Sequence, residues 1–206
     1  MSTIRWKGLT GDWTVPSDWV DGSAPLSGDD VLFNTGGSYT ATISTDVLAA
    51  SVTFSDTGGK LVENAGASLT LSGTFTLTTG TVELDGSTSV GSFAQSGGTL
   101  SGSGTLTVTG AAQIAVGPND NITQSGSGTT VLEDGGTLSG IATNALFLRD
   151  SRVLENEGTF AWQSTPIKIL DSASIDNAAG ATFDDQFDGR SRPSMSAAPS
   201  STPALL

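Results

Sequence analysis

The sequence predicts an all-β fold, a right-handed parallel β-helix over residues 47–187, and three observations carry that expectation. Apolar and polar residues alternate over short stretches, glycine punctuates those stretches, and similar segments return at a nearly constant spacing. Alternation with a period of two puts side chains i and i+2 on one face of a strand. Leu69-Thr-Leu71, Phe75-Thr-Leu77, Val82-Glu-Leu84, Leu106-Thr-Val108, Ile114-Ala-Val116 and Ile167-Lys-Ile169 all follow this pattern. No helical period survives the intervening Thr, Ser and Gly.

The repeat decides between β architectures. Gly-Thr pairs at Gly80, Gly104 and Gly128 recur at a constant offset of 24, which makes Leu84, Val108 and Leu132 equivalent. A second series, Gly136, Gly158 and Gly180, recurs at an offset of 22. A sandwich or barrel gives no reason for such a fixed return; a coil of three short strands does. One coil cannot bury its apolar face alone, so coils stack and inward residues form ladders. About six coils fit into 47–187, a rod roughly 30 Å long at about 4.8 Å per coil.

Residues 1–46 are aromatic-rich, holding Trp6, Trp13, Trp19, Phe33 and Tyr39 among Gly8, Gly11, Pro16, Gly22 and Pro25. Bulky plugs in loop chemistry predict an N-terminal cap over the open end of the coil stack. Residues 188–206 lose the alternation and hold three of the seven prolines; a disordered tail is expected there. The abrupt change after Phe187 also raises the expectation that the chain is a truncated or frame-shifted part of a longer solenoid.

Composition narrows the function. The net charge is −13, with 21 acidic and 8 scattered basic residues, which excludes the clustered cations that nucleic acid requires. Without cysteine or histidine there is no disulfide, no thiolate nucleophile, no Ser-His-Asp machinery and no zinc site of the usual kind. Charged residues are 14% of the chain against about 25% in ordinary domains. A surface of hydroxyls suits a β protein that works outside the cytosol. No apolar run is long enough for a transmembrane helix, and Met1–Gly11 has no apolar signal core, so any export signal is expected elsewhere.

Few residues suggest chemistry. Trp6, Trp13 and Trp19 are read as buried plugs or as a platform for stacking glycans. Asp12, Asp18, Asp21, Asp29 and Asp30 lie in loops of the kind that hold structural calcium through six to eight oxygens. Asp29-Asp30 and Asp184-Asp185 are neighbours that point to opposite faces of a strand, so neither is a ready acid/base pair. Arg149-Asp150-Ser-Arg152 is the nearest approach to the basic centre of a polysaccharide lyase, and ordinary surface charge explains it as well. No catalytic residue and no required cofactor follow from the sequence.

Three stretches resemble the passenger regions of bacterial autotransporters and filamentous surface adhesins. They are Trp6-Lys-Gly through Asp29-Asp30-Val-Leu-Phe33 with Tyr39-Thr-Ala-Thr-Ile43, then Leu61-Val-Glu-Asn with Ala67-Ser-Leu-Thr-Leu71, then Leu154-Glu-Asn-Glu-Gly-Thr-Phe160 with Ile175-Asp-Asn through Phe183. The resemblance covers residues 1–187. It implies extracellular exposure, a non-enzymatic scaffold or adhesive role toward surface glycans or a host or neighbouring cell, and a place in a longer chain. The family's export barrel is absent from this sequence. The alternative from another class is a carbohydrate-active β-helix, a polysaccharide lyase or a glycan binder.

Overall fold

The computed structural model describes residues 2–118 and 121–187; the expected tail 188–206 lies outside the described residues. Within them the chain forms twenty β-strands and a single short 3-10 turn, Pro16–Asp18. Every pairing between strands is parallel. The result is a β-solenoid of about seven turns, and the six expected from the spacing were counted over 47–187 alone.

Three ladders run along it. The first links Thr3–Arg5, Asp30–Phe33, residues 51–54, 74–77 and 92–95, Ala112–Val116, Gly135–Gly140, Thr159–Trp162 and Thr182–Asp185. The second links Gly11–Asp12, Tyr39–Ile43, residues 60–63 and 81–84, Thr99–Ser101, Ile122–Gln124, Leu146–Leu148 and Ile167–Ile169. The third links Val47–Ala49, residues 68–71 and 87–90, Thr105–Val108, Thr129–Leu132, Val153–Asn156 and Ser174–Asn177. Parallel pairing already begins at Thr3–Arg5, so the Trp-rich zone 1–46 belongs to the coil stack as well as closing it.

The strand Ser68–Leu84 shows how one coil is made. Leu69 and Leu71, then Phe75 and Leu77, then Val82 and Leu84 are buried on the three successive faces. Between the second and third faces the backbone turns at Gly80, with φ +83°. A Cβ there would run into the Asp56 carbonyl and the Phe54 ring, so the corner requires glycine twice over, for φ and for space. Inward aromatics also stack from turn to turn, with Phe33–Phe54, Phe75–Phe93 and Phe160–Phe183 at centroid distances of 5.3, 6.1 and 5.4 Å.

The repeat register differs from the glycine alignment. Val108 does face Leu132 on the coil that follows, but on the coil before it faces Val90, a shorter return. Leu84 lies on another face, opposite Glu63. Gly136 faces Phe160, and Phe160 faces Phe183, so Gly158 and Gly180 are out of register with Gly136. Coils are held in step by the side chains that fill the interior, whereas corner loops lengthen and shorten freely. Glycine marks corners, and corners do not keep count.

Burial of this kind sets the cost of losing one inward ring. Phe93→Ala is expected to destabilise by about 3–5 kcal/mol, while Thr70→Ala on the exposed side of its strand stays within about 0.5 kcal/mol. Chemical denaturation of the two variants checks the contrast.

Candidate functional site

The aromatic end is built from three indoles packed nearly at right angles. Trp6 continues the first ladder, its backbone N–H donating to the Leu32 carbonyl at 3.0 Å, and Trp13 continues the second by donating to the Thr42 carbonyl at 2.8 Å. Trp19 returns antiparallel against Trp6. The ring centroids of Trp6 and Trp19 are 4.8 Å apart and those of Trp13 and Trp19 5.2 Å, both edge-to-face. Trp6 Nε1 donates to the Leu9 carbonyl and Trp19 Nε1 to the Trp13 carbonyl. All three residues are at most 1% exposed. Trp6, Trp13 and Trp19, expected as plugs or as a glycan platform, thus pack as one cluster into the hydrophobic core.

The N-terminal carboxylates serve their own loops. Asp12 Oδ1 accepts from the amide and hydroxyl of Thr14, and Asp18 Oδ2 accepts from the Asp12 amide. Asp29 accepts from the amides of Leu26 and Ser2, which hold its carboxyl below the usual range. Asp30 accepts from the Ser51 hydroxyl in the next turn. Among the described residues no three acidic groups converge as metal ligands, so Asp12, Asp18, Asp21, Asp29 and Asp30 are not brought together as a calcium cage. Asp184 and Asp185 sit on the last strand of the first ladder, both exposed.

Grooves on the surface of the described residues include two of note. One of about 490 Å³ lies beside the plug, lined by Trp13, Ala24, Pro25, Leu26, Val47 and Leu48, with Leu26 72% and Leu48 55% exposed. The other, about 280 Å³, is lined by Thr57, Thr79, Gly80, Thr81, Thr99 and Asn121. It lies where successive turns bring hydroxyls into line, and Thr57 and Thr79 are themselves hydrogen-bonded at 3.3 Å.

Alternation did not reveal the polar groups inside the rod. Glu63 occupies an inward site between Ile43 and Leu84 and is fully buried. Desolvation raises its pKa above the ordinary 4.5, against the opposing hydrogen bond from the Thr88 hydroxyl. Arg149 and Arg152 part company. Asp150 and Ser151 take positive φ of 59° and 68°, so this stretch is a turn and no strand. Arg149 stays outside, 3.4 Å from Asp171, whereas Arg152 turns inward and is fully buried. Arg152 is therefore no surface charge, and the pair forms no lyase centre. The signal for Glu63 and Gln124 was present in Leu61-Val-Glu63 and Ile122-Thr-Gln124, where a polar residue takes the second inward place. Nothing local marks Arg152.

Two outcomes follow from these burials. Trp13→Ala is expected to lower stability by about 3–5 kcal/mol, read as an earlier denaturation midpoint, since a plug and not a ligand platform is lost. Because its folded pKa is raised, Glu63 adds stability that is full below about pH 4.5 and declines as pH rises through the folded value. The Glu63→Gln side chain stays neutral at every pH. The gap in melting temperature between this variant and wild type should therefore widen in favour of the variant from acid to neutral pH. A gap independent of pH would refute the buried-acid reading.

Compared with protein-family models, with curated proteins and with solved structures, the chain matches none.

Proposed function

We propose that the chain is a non-enzymatic, extracellular module of a bacterial surface or secreted protein, a stalk or adhesive passenger that acts through its shape. One observation carries this reading: the polar side chains of the lateral surface bind one turn to the next. Ser51 donates to Asp30 at 2.6 Å, Ser68 to Asp46 at 2.8 Å and Ser103 to Asp85 at 2.9 Å. Thr74 and Ser92 are joined at 2.7 Å, and Lys60 meets Glu83 at 2.7 Å. Each bond spans roughly one coil and runs along the axis. Single surface contacts of this kind contribute about 1 kcal/mol or less. Repeated along the rod, they stiffen it, and stiffness is what a spacer needs.

The acidic, hydroxyl-rich exterior also supports the extracellular part of the proposal, since it keeps an extended β surface soluble without clustered cations. Surface glycans or the surface of a neighbouring cell are the partners such a stalk would present itself to. A glycan-binding or carbohydrate-cleaving role is the second reading, favoured by the hydroxyl-lined groove at Thr57, Thr79, Thr99 and Asn121.

Labelling decides the first reading. On intact cells producing the protein, antibodies to the chain should bind, and external protease should remove the signal. Signal that appears only after lysis overturns the proposal. Glycan-array binding that is lost in Thr79→Val and Asn121→Ala at unchanged melting temperature would favour the second reading. Unsaturated products from pectin or alginate would make it a lyase.

A further inference from the structure

We propose that residues 188–206 of this chain fold back along the third ladder as a strap, and that their segment Pro203-Ala-Leu-Leu206 closes the ladder's open strand edge. The edge is Val47–Ala49. This strand pairs with residues 69–71 and, among the described residues, with no other strand. The first coil supplies a strand to each of the other two ladders, Thr3–Arg5 and Gly11–Asp12. Between Asp12 and Asp30, where the third strand of that coil would fall, the chain instead makes the Pro16–Asp18 turn and the return of Trp19. The groove of about 490 Å³ lies along this edge, lined by Trp13, Pro25, Leu26, Val47 and Leu48. An unpaired edge takes an extended backbone, and apolar walls beside it take the side chains.

The outward column that starts at this edge selects the occupant. In register, Leu48 stands first, Thr70, Ser89, Thr107 and Val131 follow, and Glu155 and Asp176 stand last. Among the described residues neither of those two carboxylates is paired with a cation. The sequence after Phe187 carries the complement in the order met from the far end. Arg190 and Arg192 come first, a Ser- and Ala-rich stretch over 194–202 comes next, and Leu205 and Leu206 come last. Laid from the last turn to the first, the arginines meet Asp176 and Glu155, and the leucines reach Leu48 and Leu26. Length permits this path. From Asp176 to Leu48 is six steps of the ladder, about 29 Å at about 4.8 Å per step. The strap starts at the last turn, where Phe187 stacks on Trp162 at 5.1 Å, and spans up to about 60 Å when extended. Pro193, Pro199 and Pro203 lack an amide proton, which suits a strap and an edge strand and not a coil inside the stack.

Because the chain has no cysteine, introduced pairs report the path directly. Leu48→Cys/Leu205→Cys and Thr53→Cys/Leu205→Cys are each oxidised as the full chain in dilute solution. Thr53 faces outward on the first ladder, so a segment with no preferred site reaches both positions. Docking raises the effective concentration at one of them, and the intramolecular disulfide should form at least about tenfold faster with Leu48→Cys. Adding Arg190→Glu and Arg192→Glu should remove most of that preference. Equal rates at the two positions overturn the proposal. A disulfide that forms only between molecules overturns it as well and assigns the edge to a second copy. Hydrogen exchange gives a readout that needs no cysteine: residues 47–49 should exchange about tenfold more slowly in wild type than in Leu205→Asp/Leu206→Asp. The same rate in both proteins refutes the strap.

Discussion

A parallel coil that closes on itself leaves no side chain free to choose its depth, and the rest of this protein follows from that. Each turn presents a few inward positions, and the residue there must fill the same space as those above and below. The column Phe75–Phe93 and the pair Phe160–Phe183 show the constraint met with rings, and Leu106, Val108 and Leu132 show it met with aliphatics. Backbone hydrogen bonds between turns are satisfied by the same stacking, so packing and pairing fail or succeed together. The constraint acts on inward residues alone. That is why the repeat can contract between Val90 and Val108 and expand again between Val108 and Leu132 without a break in the ladder.

The two ends of the stacking problem are solved by different chemistry. At the start, three indoles fill the lumen and two of them return their Nε1–H groups to nearby carbonyls. Toward the other end Trp162 is covered by Phe183 and Phe187, with its own Nε1 bound to the Thr165 carbonyl. Between them the interior is not uniformly apolar. Glu63, Gln95, Gln124, Thr130, Arg152 and Asn156 all sit inside, and Asn156 donates to Asn177 in the next turn at 2.7 Å. Such groups stabilise most when every polar atom is matched, and here Glu63 Oε1, Asn156 Oδ1 and Arg152 Nε and Nη1 are left without a partner.

On the outside, the carboxylates of Asp30, Asp46 and Asp85 each accept a hydroxyl from the turn that follows. Charge is thus spread from one turn to the next. An acid/base pair would require the reverse, two groups leaning toward one point. Asp29 and Asp30 illustrate the difference: one caps its own loop and the other reaches the next coil.

Neighbouring residues dictate the strands, their inward side chains and the solenoid itself, since alternation at period two is a local property. Leu69, Leu71, Phe75, Leu77, Val82 and Leu84 are buried as their spacing requires. Register and charge placement were settled by packing between turns. Glycine spacing misled because a corner can gain or lose residues without moving the core, so Leu84 and Val108 came to lie on different faces. The tryptophans were legible as a cluster, yet only packing could show that the lumen takes in all three. Arg152 was beyond local reading altogether. Two residues of positive φ ahead of it aim its side chain inward, and the space it enters exists because residue 128, a full turn earlier, is glycine.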